Sequence, residues 1–155
     1  MSRATDLRDA IRDKLTATFT DVVVSSDVEP TLDFESNFER RIICWNVGRQ
    51  IEALQGASRR RVSVNIAFVG KPSLMQSTTE ETRRTEALAI ADAFDEMVET
   101  TIALFSPNGF FFKGVHAKHR FESIEQPEFF DLEQWRSIQV WQSNLIVNFL
   151  DTLDE

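Results

Sequence analysis

Arg61-Val62-Ser63-Val64-Asn65-Ile66-Ala67-Phe68-Val69 is the stretch on which the reading of this 155-residue chain turns. Val62, Val64, Ile66 and Phe68 occupy one parity, and Ser63, Asn65 and Ala67 the other. Side chains of a strand alternate between two faces, so this pattern predicts a strand with one buried face and one mostly polar face. Gly70-Lys71-Pro72-Ser73 ends it. The next periodic segment, Glu80 to Phe105, has the other period. Ala87/Leu88, Ala91, Phe94, Met97/Val98, Thr101/Ile102 and Phe105 form an apolar stripe at helical spacing. Ser106-Pro107-Asn108-Gly109 stops that helix. A half-buried strand followed by a long amphipathic helix sets the class as α+β.

The flanks extend the pattern. Leu7, Ile11, Leu15 and Phe19 recur every four residues and predict an N-terminal helix over 6–19. Asp21 to Val28, with Val22-Val23-Val24, reads as a strand ended by Glu29-Pro30. Phe38 to Leu54 reads as a second strand, joined by Gln55-Gly56-Ala57-Ser58 to the third. Phe110 to Ile124 reads as a long strand. Val115, Ala117, His119 and Phe121 share one of its faces, and His116, Lys118, Arg120 and Glu122 the other. Ile138 to Leu150, with Trp141, Leu145, Val147 and Phe149 in one parity, closes the chain. The expected order is α-β-β-β-α-β-β: one domain over 1–155, an antiparallel sheet with both helices packed on it.

Composition narrows the function. The chain carries 25 acids against 17 bases, a net charge of −8, which disfavours nucleic acid and anionic membrane as general partners. No apolar run approaches a membrane span, and the first residues lack a secretory pattern; the expectation is a cytoplasmic, non-membrane protein. Cys44 is the one cysteine, so an internal disulfide is excluded. There are 13 Phe, 3 Trp and no Tyr. Phe has no polar handle, which favours dry cores and dry subunit contacts over ligand reading.

The sequence offers no catalytic constellation. His116 and His119 lie three apart, on opposite faces of a strand, and cannot chelate one ion without a bulge. Gly70-Lys71 lacks the remainder of a phosphate loop. Asp92, Asp95, Glu96 and Glu99 have the spacing of a solvated helix face. Cys44, inside Ile42-Ile43-Cys44-Trp45, reads as a small buried hydrophobe. The expectation is a non-enzyme with no cofactor and no metal. Two features remain as candidate interaction sites. Arg59, Arg60 and Arg61 concentrate positive charge at a hairpin in an acidic protein. Phe110, Phe111 and Phe112 open a strand with apolar groups on both faces, which calls for cover from a helix and from another subunit.

The layout resembles the tail terminator (neck or tail-completion) proteins of tailed bacteriophages. Locally similar stretches are Val62-Ser63-Val64-Asn65-Ile66, Glu86-Ala87-Leu88-Ala89-Ile90-Ala91-Asp92, and Pro127-Glu128-Phe129-Phe130-Asp131 leading to Ile138-Gln139-Val140-Trp141. The resemblance implies a cofactor-free homo-oligomeric ring, usually a hexamer, seated on the last ring of the tail tube. Such a ring stops tube polymerisation and offers its other face to the head connector or stopper protein. It would lie at the head–tail junction of the virion, in the host cytoplasm during assembly, with phage DNA passing through and no sequence-specific DNA contact. The stretch from Glu29 to Gln50 is longer and more charged than a simple hairpin needs, and an extra neck-facing loop is the expectation there. The alternatives are another head–tail joining or minor virion protein, or a nucleic-acid-binding or regulatory adaptor using Arg59 to Arg61 with Arg40 and Arg41.

Overall fold

The computed structural model describes residues 3–27, 40–54, 57–70, 80–105, 119–126, 133 and 141–152. Seven elements follow one another: α1 (Arg3–Thr18), β1 (Val23–Ser26), β2 (Arg40–Leu54), β3 (Ala57–Gly70), α2 (Glu80–Ala103), β4 (His119–Glu125) and β5 (Trp141–Thr152). The order α-β-β-β-α-β-β is the expected one. The strands form one sheet in the spatial order β1-β2-β3-β5-β4.

The β2–β3 hairpin is the spine. Its pairs run from Arg40↔Gly70 to Leu54↔Ala57, so Ala57 and Ser58 belong to β3 rather than to the turn. β5 lies antiparallel along β3 from Gly70↔Trp141 to Arg59↔Thr152, and β4 lies antiparallel on its other side. β3 and β4 therefore run the same way with β5 inserted between them, and α2 makes the crossover, a split βαβ arrangement.

One pairing departs from the antiparallel expectation. β1 runs parallel to β2, from Val23↔Arg41 to Ser26↔Cys44, with the Asp27 N–H donating to the Cys44 carbonyl at 2.9 Å. Parallel neighbours cannot be joined by a tight turn, because the chain must travel back along the strand before it pairs. The residues that connect the two strands, 28–39, lie outside the described residues. The stretch from Glu29 to Gln50 is not one loop: from Arg40 onward it is β2.

Both helices cover the same sheet face. Leu7, Ile11 and Leu15 are fully buried against Ile42, Cys44, Val62, Val64, Ile66, Phe68, Leu145, Val147 and Phe149, together with Phe94, Met97 and Val98 of α2. Full burial of one such aliphatic side chain contributes about 1.5–3 kcal/mol. Phe94 stacks on Trp141 with ring centroids 4.5 Å apart and planes 9° from parallel. The last turn of α2 tightens, with Leu104 and Phe105 N–H groups donating to Thr101 and Ile102 carbonyls at 3.0 Å. This tightening delivers Phe105 to Phe121 and Phe149, at centroid distances of 5.3 and 6.1 Å.

The expected helix stripe needs one correction. Leu88, placed on the buried face in sequence, is 61% exposed, as Ile102 is 37% exposed. Both sit one position, about 100° of helix rotation, past the line through Phe94, Val98, Thr101 and Phe105. The second sheet face is also drier than alternation predicts. Ile43, Ala67 and Val69 form a small buried cluster with Trp45 against it, and Asn65 is only 4% exposed. Among the described residues no helix is long and apolar enough to cross a membrane.

Candidate functional site: the arginine hairpin and the polar face

Arg59, Arg60 and Arg61 lie in β3 opposite Glu52, Ile51 and Gln50 of β2. On the other side they face Thr152, Asp151 and Leu150 of β5. They are therefore on the strand proper, two residues past the hairpin turn, with backbone pairing on both sides. Arg61 is the one whose side chain is described. It crosses over β5 to β4, where its Nη2 donates to Glu122 Oε1 at 2.6 Å and its Nε to Oε2 at 2.8 Å. This two-pronged pairing fixes the guanidinium plane as a single bond would not. The pair stays half-exposed, with side-chain accessibilities of 43% and 30%.

A β-bulge makes that contact. Register shifts between Phe121 and Ser123, so that two residues of β4 stand against one of β5. Strict alternation from Glu122 would turn Ile124 outward; after the bulge both Phe121 and Ile124 face the core cluster. Beside the bulge the polar face continues as a row. The Ser63 hydroxyl donates to Asn148 Oδ1, and Asn148 Nδ2 donates to Ser123 Oγ at 3.0 Å. Asn65 Nδ2 and Gln142 Nε2 both donate to Asn144 Oδ1, at 3.0 and 3.3 Å. Asn148 is 8% exposed, and a polar group so buried is tolerable because both ends of its amide are bonded.

Cys44 is fully buried in the main core. Burial pushes its thiol up to about 12, and the nearby Arg8 and Arg12 guanidinium groups only partly offset this. A thiol in that state is protonated at neutral pH and inert as a nucleophile. Asp92, Glu96 and Glu99 are exposed and Asp95 is half-exposed along α2, as a solvated helix face requires. Glu96 and Glu99, with Phe19, Ala93, Met97 and Thr100, line an open depression of about 470 Å³ at the end of α1. Among the described residues no three of His, Cys, Asp and Glu gather closely enough to hold a metal ion.

On α1, Arg8 Nε donates to Asp9 Oδ1 at 3.0 Å, and Arg12 reaches both Asp9, at 3.6 Å, and the Ser26 hydroxyl of β1, at 3.4 Å. Burial raises the Asp9 carboxyl, but Arg8, Ser26 and Arg12 together outweigh it and hold the group below its usual range. This cluster ties α1 to the edge strand. Spacing along the helix showed the charges but gave no sign of Ser26 as their partner.

Of the residues singled out in sequence, Arg61 is brought to Glu122, seen there only as one of four polar residues on a strand face. Phe110, Phe111, Phe112 and His116 lie outside the described residues. His119 is in β4, paired with Asp151. No protein-family model matches the chain, and no curated protein matches it.

Proposed function

We propose that the chain is a structural assembly protein of the tail-terminator kind. In this reading it forms a homo-oligomeric ring, a hexamer, that caps a phage tail tube, stops its polymerisation and joins the tail to the head connector. The observation that supports the reading best is the architecture. Two helices share one face of a five-stranded sheet, and a long β2–β3 hairpin with the arginine spot forms its spine. The spot then serves as a docking contact for a neighbouring subunit or for the tail-tube protein. Rim charges of this kind set encounter rate and partner choice more than final affinity. The protein acts by shape and charge, with no chemical step and no cofactor, and it works in the virion at the head–tail junction. Closed rings of identical subunits require a heterologous contact, one surface patch meeting a different patch of the next copy.

The test is molar mass by light scattering over a concentration series, alone and with tail-tube protein present. A closed oligomer under either condition is the expected result. A strict monomer under both ends the reading. The adaptor alternative predicts tight, steeply salt-dependent binding to duplex DNA that is lost when Arg59, Arg60 and Arg61 are replaced by Glu.

A further inference from the structure

The β4 bulge leaves one residue over. Phe121 pairs with Phe149, Ser123 with Asn148 and Ile124 with Val147, and Glu122 stands between with no register partner of its own. With Glu122 taken out, Phe121, Ser123 and Ile124 would alternate as an ordinary strand does. The phenylalanine and isoleucine would face the core and the serine the polar face. The phase of β4 thus does not depend on residue 122. What the extra residue adds is a carboxylate, gripped at both oxygens by Arg61 across the width of β5. A bulge of this kind serves to re-aim one side chain.

We infer that Glu122 is a positioning residue, inserted to hold the Arg61 guanidinium in a fixed direction for docking of a second copy of this chain. The inference rests on the ring reading above. An arginine ordered in advance loses less freedom when a partner binds, and its planar fork then selects a partner carboxylate by angle as well as by charge. Arg61 keeps 43% of its side-chain surface accessible while paired, so the grip does not bury it. Charge complementarity points to the occupant. The chain carries a net charge of −8, so a second copy offers a predominantly acidic surface to a cationic spot. Glu122 also offsets part of the positive charge of that spot, which disfavours a diffuse polyanion such as duplex DNA.

The experiment uses the full chain in five forms: the parent, Glu122→Gln, Glu122→Asp, a chain lacking residue 122, and the triple variant with Glu at 59, 60 and 61. Self-association is followed by sedimentation over a concentration series at low and high salt, with melting recorded for each form. Glu122→Gln and the deletion are expected to melt close to the parent. Their association midpoints should shift to about tenfold higher concentration at low salt, with a weaker salt dependence, and Glu122→Asp should recover part of the loss. Parent-like association of Glu122→Gln beside a failing triple variant overturns the positioning role and leaves the ring reading standing. Stronger association of Glu122→Gln overturns it too, since Glu122 would then be masking Arg61. Parent-like association of the triple variant shows that the arginine spot is not the contact. A parent that stays monomeric throughout overturns docking of a second copy, and the ring reading is then decided by the tail-tube measurement. Tight, steeply salt-dependent duplex-DNA binding by the parent, lost in the triple variant, overturns the carboxylate partner in favour of a polyanion.

Discussion

Arg61 and Glu122 meet across a strand to which neither belongs: β5 runs between them, and their side chains close at 2.6 and 2.8 Å above it. The contact pins the edge strand β4 to the hairpin strand β3 on the face away from the helices. It adds to the bonds that Asn148 makes to Ser63 and Ser123 one step along the same row.

Removal of either partner is expected to cost little stability. Half-exposed ion pairs contribute roughly 0.2–1 kcal/mol, and salt screens them. A double-mutant cycle of Arg61→Ala and Glu122→Ala, read by urea denaturation, should return a coupling within that range that shrinks in high salt. A coupling several times larger would mean that the pair is shielded from water.

Phe94 should behave differently. It is fully buried and stacked on Trp141, so Phe94→Ala loses transfer energy and leaves a cavity, at a cost of roughly 3–5 kcal/mol. Leu88→Ala, six residues earlier on the same helix, should stay within about 0.5 kcal/mol because Leu88 is exposed. Thermal or urea melts of the two variants side by side check the phase of α2.

Cys44 should resist thiol reagents in the folded protein at pH 8 and react only on unfolding. Its folded thiol sits at about 12 against an ordinary value of 9.0. The unfolded chain therefore releases the proton first as pH rises. Stability from this group is whole below pH 9.0 and falls progressively between 9.0 and about 12. Cys44→Ala should be less stable at neutral pH and should lose less of its stability over that alkaline range.

Asp9 governs part of the acid limb. Its carboxyl is held below the ordinary 3.8 in the folded state, so the unfolded chain takes up the proton first. The contribution is complete above that pH and lost as pH falls through the folded value. Asp9→Asn should lower stability at pH 6, with the gap to the parent narrowing below pH 4. Urea midpoints across that range measure it.

Several elements were legible in the sequence. The Leu7, Ile11, Leu15 repeat and the Val62 to Phe68 alternation each pointed to a face that is now buried. The parity of Trp141, Leu145, Val147 and Phe149 did the same. Phe94 and Val98 were placed correctly, whereas Leu88 was not. A helical stripe about 100° wide tolerates two assignments at each turn, and only the sheet beneath decides between them. The arginine spot was visible as composition, and its carboxylate partner was not, because the two are 61 residues apart in the chain.

Local alternation and helical spacing are written into consecutive residues, since each reports which side of its own element meets water; on those the sequence alone determined the class, the element order and most of the main core. Pairing direction, strand order and the bulge depend on which distant segments lie side by side. The parallel β1–β2 contact, the insertion of β5 between β3 and β4, and the reach of Arg61 to Glu122 were therefore decided only by tertiary structure. The first two are set by backbone hydrogen bonds between remote residues, which carry no side-chain signature for the sequence to display, and the third follows from the register and the bulge that those bonds fix.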